Sequence, residues 1–133
     1  MLKVTRRTYD KILFLAAALF NLSSAATLLF FPNIFLARLG ITDPAAQLLA
    51  QSLASSATTW GIGYALVAFD SRRFRPFALL GAISKTIFAA VYATAFSRGL
   101  ISFTAFIPAM IELLFAALFI EFLWHTRNGS DQS

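Results

Sequence analysis

Cysteine is absent from the sequence and histidine occurs once. The first absence excludes disulfides, thiolate nucleophiles and cysteine-ligated metals. The second excludes a histidine-rich metal site within one chain and any nucleophile–histidine–acid arrangement beyond a single copy. No metal or organic cofactor is expected. Charge is also scarce: 13% of residues are charged, against about 25% in an ordinary soluble domain. What fills the chain instead is apolar. Hydrophobic residues make up 59% of its 133 positions, and the mean hydropathy is +0.73. A soluble chain this short cannot hide that much apolar surface in one core, so the expected solvent is lipid.

Four apolar runs stand out, at 12–31, 45–69, 77–96 and 100–124. Each reaches the ~20 residues that a helix needs to cross a ~30 Å hydrocarbon core. In lipid only helices or closed barrels satisfy their own backbone, and these runs lack the alternation of barrel strands. Short connections make consecutive helices antiparallel neighbours. The expected fold is an all-α membrane protein, an up-down bundle of four transmembrane helices forming one domain over 1–133. The tail, 127–133, reads as disordered. The first connection, FPNIFLARLGITDP, reads as a short amphipathic helix at the membrane interface. Pro32 suits its first turn and Gly40 its end. Asp43-Pro44 suits the cap and first position of the second span.

Charge sets the orientation. Lys3, Arg6, Arg7 and Lys11 precede or open the first span. Arg72, Arg73 and Arg75 lie in the second connection, and Arg127 follows the last span. Only Arg38 and Arg98 lie on the other side. The positive-inside rule then puts both termini in the cytoplasm, in a bacterial inner membrane, with Tyr9 and Trp124 in an interfacial aromatic belt. Topology thus accounts for the net charge of +5. The bilayer is the expected partner, and nucleic acid is not. The N-terminal stretch also has the marks of a signal peptide: basic residues including Arg6-Arg7, an apolar stretch, then Ser23-Ser24-Ala25. Apolarity resumes at once with ATLLFFP, so one continuous span is the favoured reading.

Two ionisable residues, Lys85 and Glu112, lie well inside the apolar runs. Counting ~1.5 Å per residue puts both ~12–14 Å from the same membrane face. A lone charge at that depth costs several kcal/mol, and a hydrogen-bonded pair avoids most of it. The two are therefore expected to face each other inside the bundle. Ala78, Ala82, Ala89 and Ala93 flank Lys85 at helical spacing, and Ala105, Ala109 and Ala116 flank Glu112. Such small-residue stripes let membrane helices approach closely. Pro108, one turn before Glu112, removes a backbone hydrogen bond to Thr104 and can bend its helix. Asn21 of the first span lies at similar depth. So do Gln51, Ser55 and Thr58, on one face of the second. The expected site is thus Lys85, Glu112, Asn21, Gln51, Ser55 and Thr58, either bonding the helices together or holding a ligand. Glu121 is expected to meet Arg72 or Arg75. WGIGY, 60–64, reads as close helix packing, with Trp60 and Tyr64 near the cytoplasmic interface.

The stretch GIGYALVAFDSRRFRPFALLGAISK, 61–85, resembles a group of small, mostly bacterial membrane proteins with four spans and no assigned activity. The shared pattern is Gly-x-Gly-Tyr, an Asp-x-x-Arg turn, then Gly-x-x-x-Lys. Here it falls on Gly61, Gly63, Tyr64, Asp70, Arg73, Gly81 and Lys85. Ser71 stands where the pattern has proline. FFPNIFLARLG is similar in layout to the DoxX-like four-span proteins. The resemblance covers roughly half the chain. It implies a fold and a location but no reaction. It also implies a role for Lys85 beyond packing.

Three functions stay open. The first is a binding or accessory membrane protein in which Lys85 and Glu112 hold a small polar or amphipathic ligand. The second is a small proton- or cation-coupled transporter using Glu112. The chain lacks the internal repeat common in transporters, which a homodimer would supply. The third is an isomerase-like membrane enzyme with Glu112 as acid and base. It lacks further catalytic groups and ranks last.

Overall fold

The computed structural model describes residues 4–128. Five helices follow one another: α1 (Arg6–Phe30), α2 (Pro32–Arg38), α3 (Ala46–Phe69), α4 (Arg75–Ser97) and α5 (Phe103–Asn128). No strand occurs among the described residues. Helices α1, α4 and α5 are long and apolar enough to cross a membrane. Helix α3 has 24 residues, enough length, but falls short in composition. Gln47, Gln51, Ser52, Ser55, Ser56, Thr58 and Thr59 dilute the stretch from 46 to 59.

Local chemistry sets the helix ends more sharply than hydropathy does. Helix α1 starts at Arg6, ahead of the apolar run, because Thr5 Oγ1 accepts from the Thr8 amide at 3.3 Å. Its helical turns continue through Ser23-Ser24-Ala25 without a break. Pro32 opens α2, and Gly40, at φ +69°, turns the chain after it. Asp43 Oδ1 accepts from the Ala45 amide at 2.9 Å, so α3 starts at Ala46 and Pro44 lies before it. Gly99, also at φ +69°, follows α4. Ser102 Oγ then accepts from the Ala105 amide at 3.2 Å, which moves the start of α5 to Phe103. Helix α5 runs to Asn128, so 127 and 128 are helical where the sequence suggested a disordered tail. The remainder of that tail, like Lys3, lies outside the described residues.

The helices pack as two hairpins, α1 on α3 and α4 on α5. In the first, Gly61 brings the backbones close: a Cβ there would sit 2.7 Å from Leu22 Cγ. In the second, Ala78, Ala82 and Ala89 of α4 and Ala105, Ala109 and Ala116 of α5 are all buried, while Ala93 is exposed. Small buried stripes of this kind permit close helix approach.

An aromatic cluster joins the hairpins at one end. Phe14 stacks on Phe119 at 4.7 Å and meets Phe122 edge-on at 4.8 Å. Tyr64 meets Phe119 edge-on at 5.0 Å. Beyond this cluster, Arg6 forms a bidentate pair with Glu121, at 2.6 and 2.8 Å. Asp10 lies 2.9 Å from Arg6 Nε, in ion-pair contact without hydrogen-bond alignment. Neither expected partner of Glu121, Arg72 or Arg75, pairs with it. Arg75 donates instead to Thr126 Oγ1 at 3.0 Å and to the Leu123 carbonyl at 2.8 Å. A guanidinium is favoured there by the negative end of the α5 dipole. Arg6, Arg7, Lys11, Arg72, Arg73, Arg75 and Arg127 all belong to this end of the helices, and Arg38 and Arg98 to the other.

Candidate functional site

Away from the aromatic cluster the two hairpins leave a cavity of about 360 Å³ between them. All five helices contribute to its wall. At one end lie Asn21, Lys85 and Glu112, and at the other Ile34, Phe35 and Arg38 of α2. Trp60, Phe88, Tyr92 and Pro108 line the stretch between, and Phe20 lies beside Lys85.

Lys85 is only 3% exposed. Its Nζ donates to Glu112 Oε2 and, at 3.2 Å, to Asn21 Oδ1. The pair joins α4 to α5, and Asn21 ties both to α1. Aromatic rings surround the ammonium: Tyr64 at 5.1 Å, Phe115 at 5.4 Å, and Phe20 and Phe119 at 6.0 Å. Ring faces attract a cation, so the rings add to what the carboxylate and amide supply. An ammonium buried without such partners would cost several kcal/mol.

The other three candidate residues do not join this group. Gln51, Ser55 and Thr58 are exposed and border no part of the cavity. Gln51 Nε2 donates to the Leu29 carbonyl at 3.3 Å. Ser55 Oγ donates to the Ser52 carbonyl at 2.8 Å, and Thr58 Oγ1 to the Ala54 carbonyl at 2.7 Å. Their polarity is largely used on their own chain. The α3 face that borders the cavity carries Leu53, Ser56, Ala57, Trp60 and Tyr64. This face is rotated from the polar stripe that spacing alone selects.

Tyr64 is the main addition. It lies 1% exposed in the bundle core, over Lys85. Gly81 makes room for it: a Cβ at 81 would sit 2.6 Å from Tyr64 Cε1. Trp60 stacks on Tyr64 at 5.9 Å and borders the cavity. The Gly-x-x-x-Lys spacing was the available signal, since a glycine one turn from a buried lysine leaves space for a ring. Ser56 and Ser84 also border the cavity, with no hydrogen-bonded partner for either hydroxyl among the described residues. In the α3–α4 connection, Asp70 Oδ1 accepts from the Arg73 amide at 3.1 Å, which forms the Asp-x-x-Arg turn.

No protein-family model matches the chain, and no curated protein and no solved structure matches it. Fold and site together define a class: a helical, membrane-type protein with three candidate spans. Within it, a buried charge pair borders a partly open cavity between the hairpins.

Proposed function

We propose that the chain is a four-span inner-membrane protein that binds a small amphipathic molecule in the cavity between its hairpins. One observation carries this reading: the Lys85–Glu112 pair borders a cavity of about 360 Å³ instead of being sealed in packed side chains. That volume falls within the ~300–1,000 Å³ typical of small-molecule sites. Apolar and aromatic walls with a few polar groups at one end are also the usual make-up of such sites. In this proposal α3 crosses the bilayer. Its helix would be ~36 Å long, enough for a ~30 Å core. Ser52, Ser55, Thr58 and Thr59 each donate to a carbonyl of α3 itself, which lowers the cost of placing them in lipid. The Arg6–Glu121 end would face the cytoplasm because the basic residues gather there. The DoxX-like layout belongs to the same proposal and rests on the resemblance of the FFPNIFLARLG connection. Proton transfer and isomerase chemistry have less support. Beside Glu112, only Lys85 and Arg38 among the charged residues border the cavity.

The cysteine-free chain gives a clean background for the test. Single cysteines at Thr42, Gly99 and Arg72 report topology in intact cells. Thr42→Cys and Gly99→Cys should react with an impermeant maleimide, and Arg72→Cys only after permeabilisation. Labelling of positions 42 and 72 from one face would show that α3 does not cross. Ser56→Cys should react from within the cavity, and decanol or decanoate should slow that reaction. An unchanged rate with both amphiphiles would remove the binding reading.

A further inference from the structure

The hydrogen-bonding capacity left over at the charged end of the cavity points to a ligand class. Lys85 carries three N–H donors. Two are used, on Glu112 and Asn21, and the third has no oxygen or nitrogen partner among the described residues. Glu112 accepts at Oε2, and its Oε1 has no partner among them. Both residues border the cavity. That end therefore offers an unused donor on Lys85 and an unused acceptor on Glu112, with the Asn21 Nδ2 donors and the Tyr64 hydroxyl also unbonded among the described residues, while the formal charges of the pair cancel.

We propose that the cavity takes an uncharged amphiphile ending in a hydroxyl group, a lipid alcohol. This rests on the reading of the cavity as a binding site. A hydroxyl donates and accepts from one atom, so it can bond to Glu112 and Lys85 together. A carboxylate only accepts, and brings a negative charge beside Glu112. An ammonium only donates, and brings a positive charge beside Lys85. Like charges repel strongly where water is excluded. A bare hydrocarbon leaves both groups unbonded and loses what a hydrogen bond to a charged group supplies. The walls formed by Phe20, Trp60, Phe88 and Tyr92 suit the apolar remainder of such a molecule.

Trp60 provides the readout, because it borders the cavity and the chain has one other tryptophan. Trp124, which is exposed and outside the cavity, is replaced by phenylalanine. The full-length Trp124→Phe protein is titrated in lipid nanodiscs with four probes of equal chain length. These are ω-bromoundecanol, ω-bromoundecanoate, ω-bromoundecyltrimethylammonium and bromoundecane. Bromine quenches indole fluorescence on contact, and unbrominated undecanol should reverse specific quenching. The alcohol should bind about tenfold more tightly than each of the others, the scale of one hydrogen bond to a charged group. Glu112→Gln removes the negative charge and should move the preference towards the carboxylate. Tightest binding of the carboxylate or the ammonium in the parent protein would overturn the ligand class while leaving the cavity as a binding site. Equal binding of all four would show that the charged end does not read the headgroup, and would likewise overturn the ligand class alone. A preference unmoved in Glu112→Gln would overturn the assignment to this pair. Absence of reversible quenching by every probe would overturn the class and the binding reading together. The headgroup series on the parent protein decides the matter without the variant, should Glu112→Gln fail to fold.

Discussion

Among the described residues, the Lys85–Glu112 and Arg6–Glu121 ion pairs both cross the bundle, and they differ in burial more than in chemistry. Lys85 and Glu112 are 3% and 15% exposed, and their partners include the Asn21 amide and a set of aromatic rings. Arg6 and Glu121 are 33% and 48% exposed, and their geometry is the better one, a bidentate fork. Geometry alone would rank the second pair higher. Burial reverses the ranking. An exposed pair exchanges water for a partner at little gain. A buried pair adds little over apolar residues of the same shape, yet losing one member leaves a charge with nothing to answer it. The cavity pair is therefore the one the structure depends on, although it need not be the one that stabilises it most.

The largest expected effect follows from that asymmetry. Lys85→Met alone, or Glu112→Leu alone, should destabilise the bundle by about 3–5 kcal/mol, as loss of one partner from a buried pair does. The joint replacement should recover most of the loss, because no unpaired charge remains. Equilibrium unfolding in mixed micelles measures all three. If the double variant is as unstable as the singles, the pair contributes more than mutual neutralisation.

A smaller effect is expected at Gly81, behind the same pair. A Cβ there would lie 2.6 Å from Tyr64 Cε1 and 2.7 Å from its hydroxyl oxygen. The Tyr64 ring is buried, and its free side is the cavity. Gly81→Ala should cost about 1–3 kcal/mol, the usual penalty of overpacking. It should also displace the ring from Lys85. Combining Gly81→Ala with Tyr64→Leu should return part of the stability, measured in the same micelles. Full stability in Gly81→Ala would mean that α3 and α4 separate easily, and that the ring does not enclose the lysine.

How much of this the sequence made legible follows the same division. The juxtaposition of Lys85 and Glu112 could be read because two charges stood in apolar runs, and helical rise gave both one depth. Asn21 could be read for the same reason. Gln51, Ser55 and Thr58 misled because helical spacing identifies a face without saying which way it points. Serine and threonine can satisfy themselves on the preceding turn, so a polar stripe need not face inward. The partner of Glu121 was illegible between Arg6 and Arg75, since both lie at the same end of the helices. What decided it was the carbonyl end of α5, which engages Arg75. The cavity was illegible for a different reason. Large rings at Phe14, Tyr64, Phe119 and Phe122 fill one end of the bundle, while the small residues Ser24, Ser56, Ala57 and Ala105 leave space at the other. That contrast in volume appears only once four helices are superposed.

The smallest expected effect is at the exposed pair. Arg6→Ala, Glu121→Ala and their combination form a cycle whose coupling energy should not exceed about 1 kcal/mol. Added salt should reduce it somewhat further, because both side chains meet solvent and exposed pairs are weakened by mobile ions. Asp10 keeps a partner for Arg6 when Glu121 is removed, which lowers the coupling again. The cavity pair, more deeply buried, should show a weaker salt response. A coupling above about 2 kcal/mol at Arg6–Glu121, insensitive to salt, would mean that this end holds the hairpins together as strongly as the core does. The contrast between a buried pair that the fold requires and a surface pair that it tolerates would then fail, and the closed end of the bundle would have to be read as a clasp.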